Sequence, residues 1–118
     1  MMIAVGSDIV RIARLSQHAS PAFLARTFTA RELHICEGRA ESLAGRWAAK
    51  EAVMKALGAG VGEVALTDIE VGREDSGRPV VRLLGGAADR AQAAGLSQWQ
   101  VSISHDGDYA IATVVATG

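Results

Sequence analysis

The segment SLAGRWAAKEAVMKAL at 42–57 constrains the fold more than any other stretch. It is rich in Ala, Leu, Lys and Glu, all strong helix formers. Gly58 follows where a C-terminal cap glycine would sit, and GAGVG at 58–62 ends the run. On a helical wheel Leu43, Trp47, Met54 and Leu57 cluster on one side, with Val53 flanking them. Ala44, Ala48 and Ala52 cover much of the other side. A helix apolar nearly all round is buried on most faces. Yet this one carries Arg46, Lys50, Glu51 and Lys55, and buried charge is costly unless it is paired or bound to something. Two readings follow. Glu51 and Lys55, spaced i,i+4 in the favourable order, make an ordinary helix ion pair. Alternatively, the three cations converge on an anion and the carboxylate faces a metal.

Around this helix the pattern alternates between strands and short helices. Residues 2–10 read as a strand with Ile3, Val5, Ser7 and Ile9 on one face and Ala4, Gly6 and Asp8 on the other. Residues 12–19 suit a short helix closed by Ser20-Pro21. TARE at 29–32 fits a capping box, Thr29 as N-cap and Glu32 reaching back, for a helix from 30 to about 37. Strand-like runs cover 64–71, 79–84, 99–105 and 109–115. Turn signals stand at 75–77 (DSG) and at 106–107 (DG), the second as in a hairpin. Residues 87–95 read as a helix ending at Gly95. The order predicts an α+β fold: one compact domain over 1–118, with an antiparallel sheet packed on one long buried helix.

Composition narrows the function. A chain of 118 residues, 49% apolar and 21% charged, fits one ordered domain. The single Cys36 excludes a disulfide framework and a Cys-rich zinc module. No apolar run reaches the roughly 18 residues of a membrane span. The N-terminus lacks a basic region and meets Asp8 too early for a secretory signal. An intracellular, cytoplasmic protein is expected. The net charge of −1 conceals an asymmetry: residues 1–31 carry Arg11, Arg14, Arg26 and Arg31 against Asp8, net +3, and the remainder is net −4. The basic third is either a solvated surface or a docking site for an acidic partner. A general nucleic-acid binder is disfavoured by the overall balance.

Asp8 interrupts an apolar strand beside small neighbours. It caps a turn, or it offers oxygen to a hard cation. Magnesium typically takes one or two protein carboxylates and fills its octahedron with water and phosphate. Asp8 and Glu51 would make such a pair if the strand packs on the helix. His105 ends a strand and shares its face with Trp99, Val101 and Ile103. It is a structural residue, or else a phosphate donor or acid/base. Ser104, His105 and Asp106 are contiguous in a strand and face alternate sides, so they do not make a triad. GAGVG follows a helix rather than a strand, which argues against a dinucleotide fingerprint, and there is no Walker A pattern.

In their order, VGSDIV (5–10), FLARTFTARE (23–32), LAGRWAAKEAVMKALGAGVG (43–62), DIEV (68–71), GRPVV (77–81) and VSISHDGDYAIA (101–112) resemble the holo-acyl-carrier-protein synthases, the small class of 4′-phosphopantetheinyl transferases. The resemblance spans nearly the whole chain. It implies transfer of 4′-phosphopantetheine from coenzyme A to a serine of an acyl carrier protein, releasing adenosine 3′,5′-bisphosphate. It implies magnesium held at Asp8 and Glu51, with Glu51 and Lys55 as the catalytic pair. It places Arg46, Lys50, Lys55, Gly58, Pro79 and His105 at coenzyme A, and Arg14, Phe23 and Arg26 at the carrier protein. It further implies a homotrimer with sites between subunits. Ser7, where relatives usually have an apolar residue, Arg11, where they are often acidic, and the short 34–42 loop depart from the pattern. Two other readings stand beside this one: a silent module that binds coenzyme A or carrier protein, and a magnesium-dependent pyrophosphohydrolase.

Overall fold

A computed structural model describes residues 1–60 and 62–118; Val61 of the GAGVG segment lies outside the described residues. The chain runs β1 (Ile3–Arg11), α1 (Ile12–His18), α2 (Pro21–Thr27), α3 (Ala30–Cys36), α4 (Ala40–Leu57), a 3₁₀ turn (Leu66–Asp68), β2 (Ile69–Arg73), β3 (Pro79–Leu83), α5 (Gly85–Ala93), β4 (Gln98–Asp106) and β5 (Tyr109–Thr117). β5 lies between β1 and β4, antiparallel to both, while β2 and β3 form a separate hairpin. The expected α+β architecture around one long helix is present.

α4 is the axis of the molecule. Twelve of its 18 residues are buried, and Gly58 closes it in a left-handed conformation, φ 67°. One side packs on the inner face of the three-stranded sheet, where Ala4, Gly6, Val10, Ala110, Ala112, Val114 and Ala116 point inward. Small residues on both partners bring backbone close to backbone. At Gly6 the approach is extreme: a Cβ there would sit 1.9 Å from the Ala52 carbonyl oxygen. No other residue fits that position. The larger side chains of β1 and β5 point outward. Ile3, Val5, Ile9, Ile111 and Val115 are 61, 62, 59, 44 and 39% exposed, an unusually apolar face for a sheet in water.

Two elements differ from the sequence expectation. Ser20-Pro21 starts a helix rather than closing one: Ser20 Oγ accepts from the Phe23 amide at 3.1 Å and Pro21 occupies the first turn of α2. The 64–71 run is a strand only from Ile69; the 3₁₀ turn before it carries Asp68, whose backbone carbonyl and side chain accept from the Leu84 and Gly86 amides. The Thr29–Glu32 capping box forms as expected, and the 106–107 signal makes the β4–β5 hairpin.

Candidate active site

β1 and α4 bring three of the expected residues together. Gly6 lets β1 lie against α4, and Asp8, two residues on, points the same way. Lys55 crosses from α4 to meet it: its Nζ donates to Asp8 Oδ1 at 3.1 Å and to the Ser7 carbonyl at 2.9 Å. Of the two readings of Glu51 and Lys55, the helix ion pair is not the partnership the described residues show; Lys55 pairs with Asp8 across the seam. Glu51 lies close enough to feel the Asp8 charge. Burial, reinforced by Asp8, holds the Glu51 carboxyl above the usual carboxylate range. Lys55, Arg14 and the Trp47 indole act in the opposite direction.

This donor set fits a hard divalent cation. Two carboxylates repel one another in a half-buried setting, and a cation between them would relieve that repulsion. Among the described residues no group of three or more His, Cys, Asp or Glu could hold a metal. A cation at Asp8 and Glu51 would take its remaining ligands from water and bound phosphate, as magnesium commonly does.

The α1–α2 surface adjoins this pair. Arg14 lies 5.2 Å above the Trp47 ring, stacked as a cation on an aromatic face. Phe23 meets the Trp47 ring edge-on at 5.2 Å, and Arg26 is exposed in the last turn of α2. A depression of about 410 Å³ beside them is lined by Arg11, Arg14, Gln17, His18 and Tyr109. His18 packs its ring near both Phe23 and Trp47.

A second group gathers on the opposite side of α4. A cleft of about 330 Å³ is lined by Arg39, Glu41, Ser42, Arg46, Arg73, Gly77, Pro79, Ile103 and His105. Arg46 donates from Nε to the Val71 carbonyl at 3.0 Å and from Nη1 to Ser42 Oγ at 3.0 Å. His105 Nε2 lies 2.8 Å from the Glu41 carbonyl, so that nitrogen carries the proton. Gly45 makes room for it, since a Cβ there would stand 3.0 Å from His105 Nε2. Sequence reasoning found Arg46, Pro79 and His105 but missed Arg39 and Arg73. Arg73 precedes the EDSG turn, a signal read only as a turn. Gly58 belongs with neither group so far; its carbonyl accepts from Arg90 Nη2 at 3.1 Å, and Arg90 also pairs with Glu63 at 3.0 Å.

Lys50 needs correction. It was expected at the coenzyme A site, one of three converging cations. Its side chain is fully buried and donates to Glu32 Oε1 at 2.7 Å, to the Leu66 carbonyl at 2.9 Å and to the Ile69 carbonyl. Those three partners use all three protons of an ammonium group. Burial pulls its pKa down, against the charge of Glu32. Nor do the other two cations converge within one chain, since Arg46 turns to β2 and Lys55 to β1.

Comparison with known proteins shows the family. The 4′-phosphopantetheinyl transferase superfamily model matches residues 4–114. The holo-[acyl-carrier-protein] synthase of Streptomyces avermitilis is 48% identical, covering 99% of this chain and 98% of its own. That of Herpetosiphon aurantiacus is 44% identical over 99% of this chain and 100% of its own. Among solved structures, the Helicobacter pylori holo-[acyl-carrier-protein] synthase in complex with coenzyme A superposes with a TM-score of 0.86 at 33% identity, covering 96% of this chain and 99% of that one. A Chronobacterium ammoniagenes ACPS–CoA complex gives 0.88 at 32%, covering 98% and 97%. With two carboxylates and a lysine at the β1–α4 seam, an arginine-lined cleft behind them and this likeness along almost its whole length, the chain belongs to the holo-[acyl-carrier-protein] synthase family of 4′-phosphopantetheinyl transferases.

Proposed function

We propose that this chain transfers 4′-phosphopantetheine from coenzyme A to a serine hydroxyl of an acidic apo acyl carrier protein, releasing adenosine 3′,5′-bisphosphate. The observation that carries this reading is the meeting of Asp8, Glu51 and Lys55 at one point of the β1–α4 seam. Asp8 and Glu51 would hold magnesium, which supplies charge neutralisation and Lewis acidity at a pyrophosphate. The serine oxygen forms a bond to the phosphorus bearing pantetheine, and the bond from that phosphorus to the bridging oxygen breaks. The departing phosphate leaves as an anion of adenosine bisphosphate. Lys55 stabilises charge on the phosphate oxygens, and Glu51, as a carboxylate at the seam, relays the serine proton through a water. Arg46, Pro79, His105 and Gly58 contact coenzyme A. Arg14, Phe23 and Arg26 receive the carrier protein beside Glu51, where opposite charge speeds encounter.

Arg46 and Lys55 are nine residues apart, about 13 Å along α4 and half a turn around it. A site shared between two copies of the chain would let one ligand meet both. The outward apolar face of β1 and β5 offers the surface for a second copy. We place the active form as a cytoplasmic homotrimer with its sites between subunits. Among the described residues no helix is long and apolar enough to cross a membrane.

The test is incubation with apo carrier protein, coenzyme A and magnesium, followed by mass spectrometry. The carrier should gain the mass of one phosphopantetheine. No gain, with coenzyme A still bound, would leave a binding module; phosphate release without an acceptor would leave a pyrophosphohydrolase.

A further inference from the structure

The Glu32–Lys50 ion pair is fully buried, and the proposed chemistry makes no use of it. Glu32 does more than cap α3. Oε1 accepts from the Thr29 amide at 2.8 Å, completing the capping box, and from Lys50 at 2.7 Å. Oε2 reaches into β2 and accepts from the Val71 amide at 2.8 Å. The carbonyl of that same residue accepts from Arg46 Nε. Val71 is thus held from both ends, by Glu32 on its N–H and by Arg46 on its C=O. Lys50 adds the Ile69 carbonyl, two residues earlier on the same strand, and the Leu66 carbonyl before it. A surface glutamate would cap α3 as well, so the cap does not account for a buried, charged one.

What β2 carries beyond Val71 gives the arrangement a purpose. Arg73 lies two residues on. The following turn, closed by the Glu74 amide to the Arg78 carbonyl at 2.9 Å, leads through Gly77 to Pro79. Arg73, Gly77 and Pro79 form one wall of the arginine-lined cleft, and Arg46 belongs to another. We propose that Glu32 is a positioning residue for coenzyme A: with Lys50 as counter-ion, it clamps Val71 so that Arg46 and the β2–β3 wall stand at the spacing the ligand requires. This rests on the reading that the cleft takes coenzyme A. Glu32 touches no substrate itself. It acts through one residue, Val71, and its effect belongs to coenzyme A rather than to the carrier protein, which docks on α1–α2.

The first experiment uses the double variant Glu32→Gln with Lys50→Met, which removes both charges together and leaves at most one of the two backbone acceptor contacts. Once folding is verified by its melting curve, its KM for coenzyme A should rise about tenfold, with kcat at saturating coenzyme A and KM for carrier protein within about twofold of wild type. A merely structural pair would lower the melting temperature and the active fraction and leave both KM values alone. A folded double variant with the wild-type KM for coenzyme A overturns the proposal. The second experiment needs no variant. Saturating the wild-type protein with coenzyme A should slow hydrogen exchange at the Val71 amide about tenfold or more. If calorimetry shows coenzyme A bound and Val71 exchange is unchanged, the clamp is not coupled to the cleft. If coenzyme A does not bind at all, the functional reading fails first and this inference falls with it.

Discussion

Glu51 is set in conflict with its surroundings. Half burial and the neighbouring Asp8 both favour its protonated form. Its folded pKa therefore lies above its unfolded one. Between the two, the folded protein keeps a proton that the unfolded chain has lost, so stability contributed at low pH is withdrawn as pH rises through the window. At neutral pH the metal-free fold is strained by this carboxylate. Glu51→Gln should raise the metal-free melting temperature at pH 7 and flatten its dependence on pH just above the ordinary carboxylate range, while abolishing transfer. Adding magnesium should raise the wild-type melting temperature and leave that of Glu51→Gln unchanged. Thermal scans over pH, with and without magnesium, check both points. Lys55→Ala should lower kcat by about a hundredfold or more, as loss of one charge-stabilising donor does. Single-turnover phosphopantetheine transfer measures it. Residues of this kind were legible from type alone: a lone Asp in an apolar strand and charges on a buried helix. Their partners were not. Helical spacing offered Glu51 to Lys55 as one reading, and the pairing across β1 depends on a close approach that only the packed molecule reveals.

Among the elements, α4 shows how far pattern reading reaches. Its extent, its cap and its all-round burial followed from composition, because helix propensity and apolar coverage are local properties. Lys50 did not follow. Nothing at position 32 or 50 signals the other, since the 17 residues between them fold back through α3 and the start of α4. Lys50→Met alone leaves Glu32 charged and unpaired in the core and should cost about 3–5 kcal/mol, whereas the double substitution recovers much of it. Urea melts of the single and double variants decide this. Gly6→Ala should be damaging for a different reason. Its new methyl would meet backbone rather than a movable side chain, so β1 must lift off α4 at a cost of about 1–3 kcal/mol or more, taking Asp8 with it. That variant should lose stability and magnesium dependence together. α2 was hidden because Ser-Pro stops one helix and starts another equally well, and periodicity over seven residues is too short to choose.

At the scale of the whole molecule, the proposed assembly rests on the two groups on opposite sides of α4 and on the apolar outer sheet face. Ile9→Lys, placing charge in the middle of that face, should yield smaller particles in sedimentation and lose transfer in proportion. Mixing Lys55→Ala subunits with Arg46→Ala subunits should restore about a quarter of wild-type activity, because random closed rings bring an intact pair of half-sites together at one junction in four. No recovery after subunit exchange, verified by mass, would place the whole site within one chain. Sequence patterning marked the strand alternation of β1 but not which face turns outward, since both faces of the strand carry apolar residues. Ser7, unexplained by pattern, aligns with Thr113 of β5 and, beyond it, Ser102 of β4, so a row of hydroxyl residues crosses the apolar face. A site divided between subunits, as proposed, has a kinetic consequence. Turnover per milligram should decline on dilution, with a lag on reconcentration, so that catalyst supply in the cell tracks how crowded the subunits are as well as how many have been made.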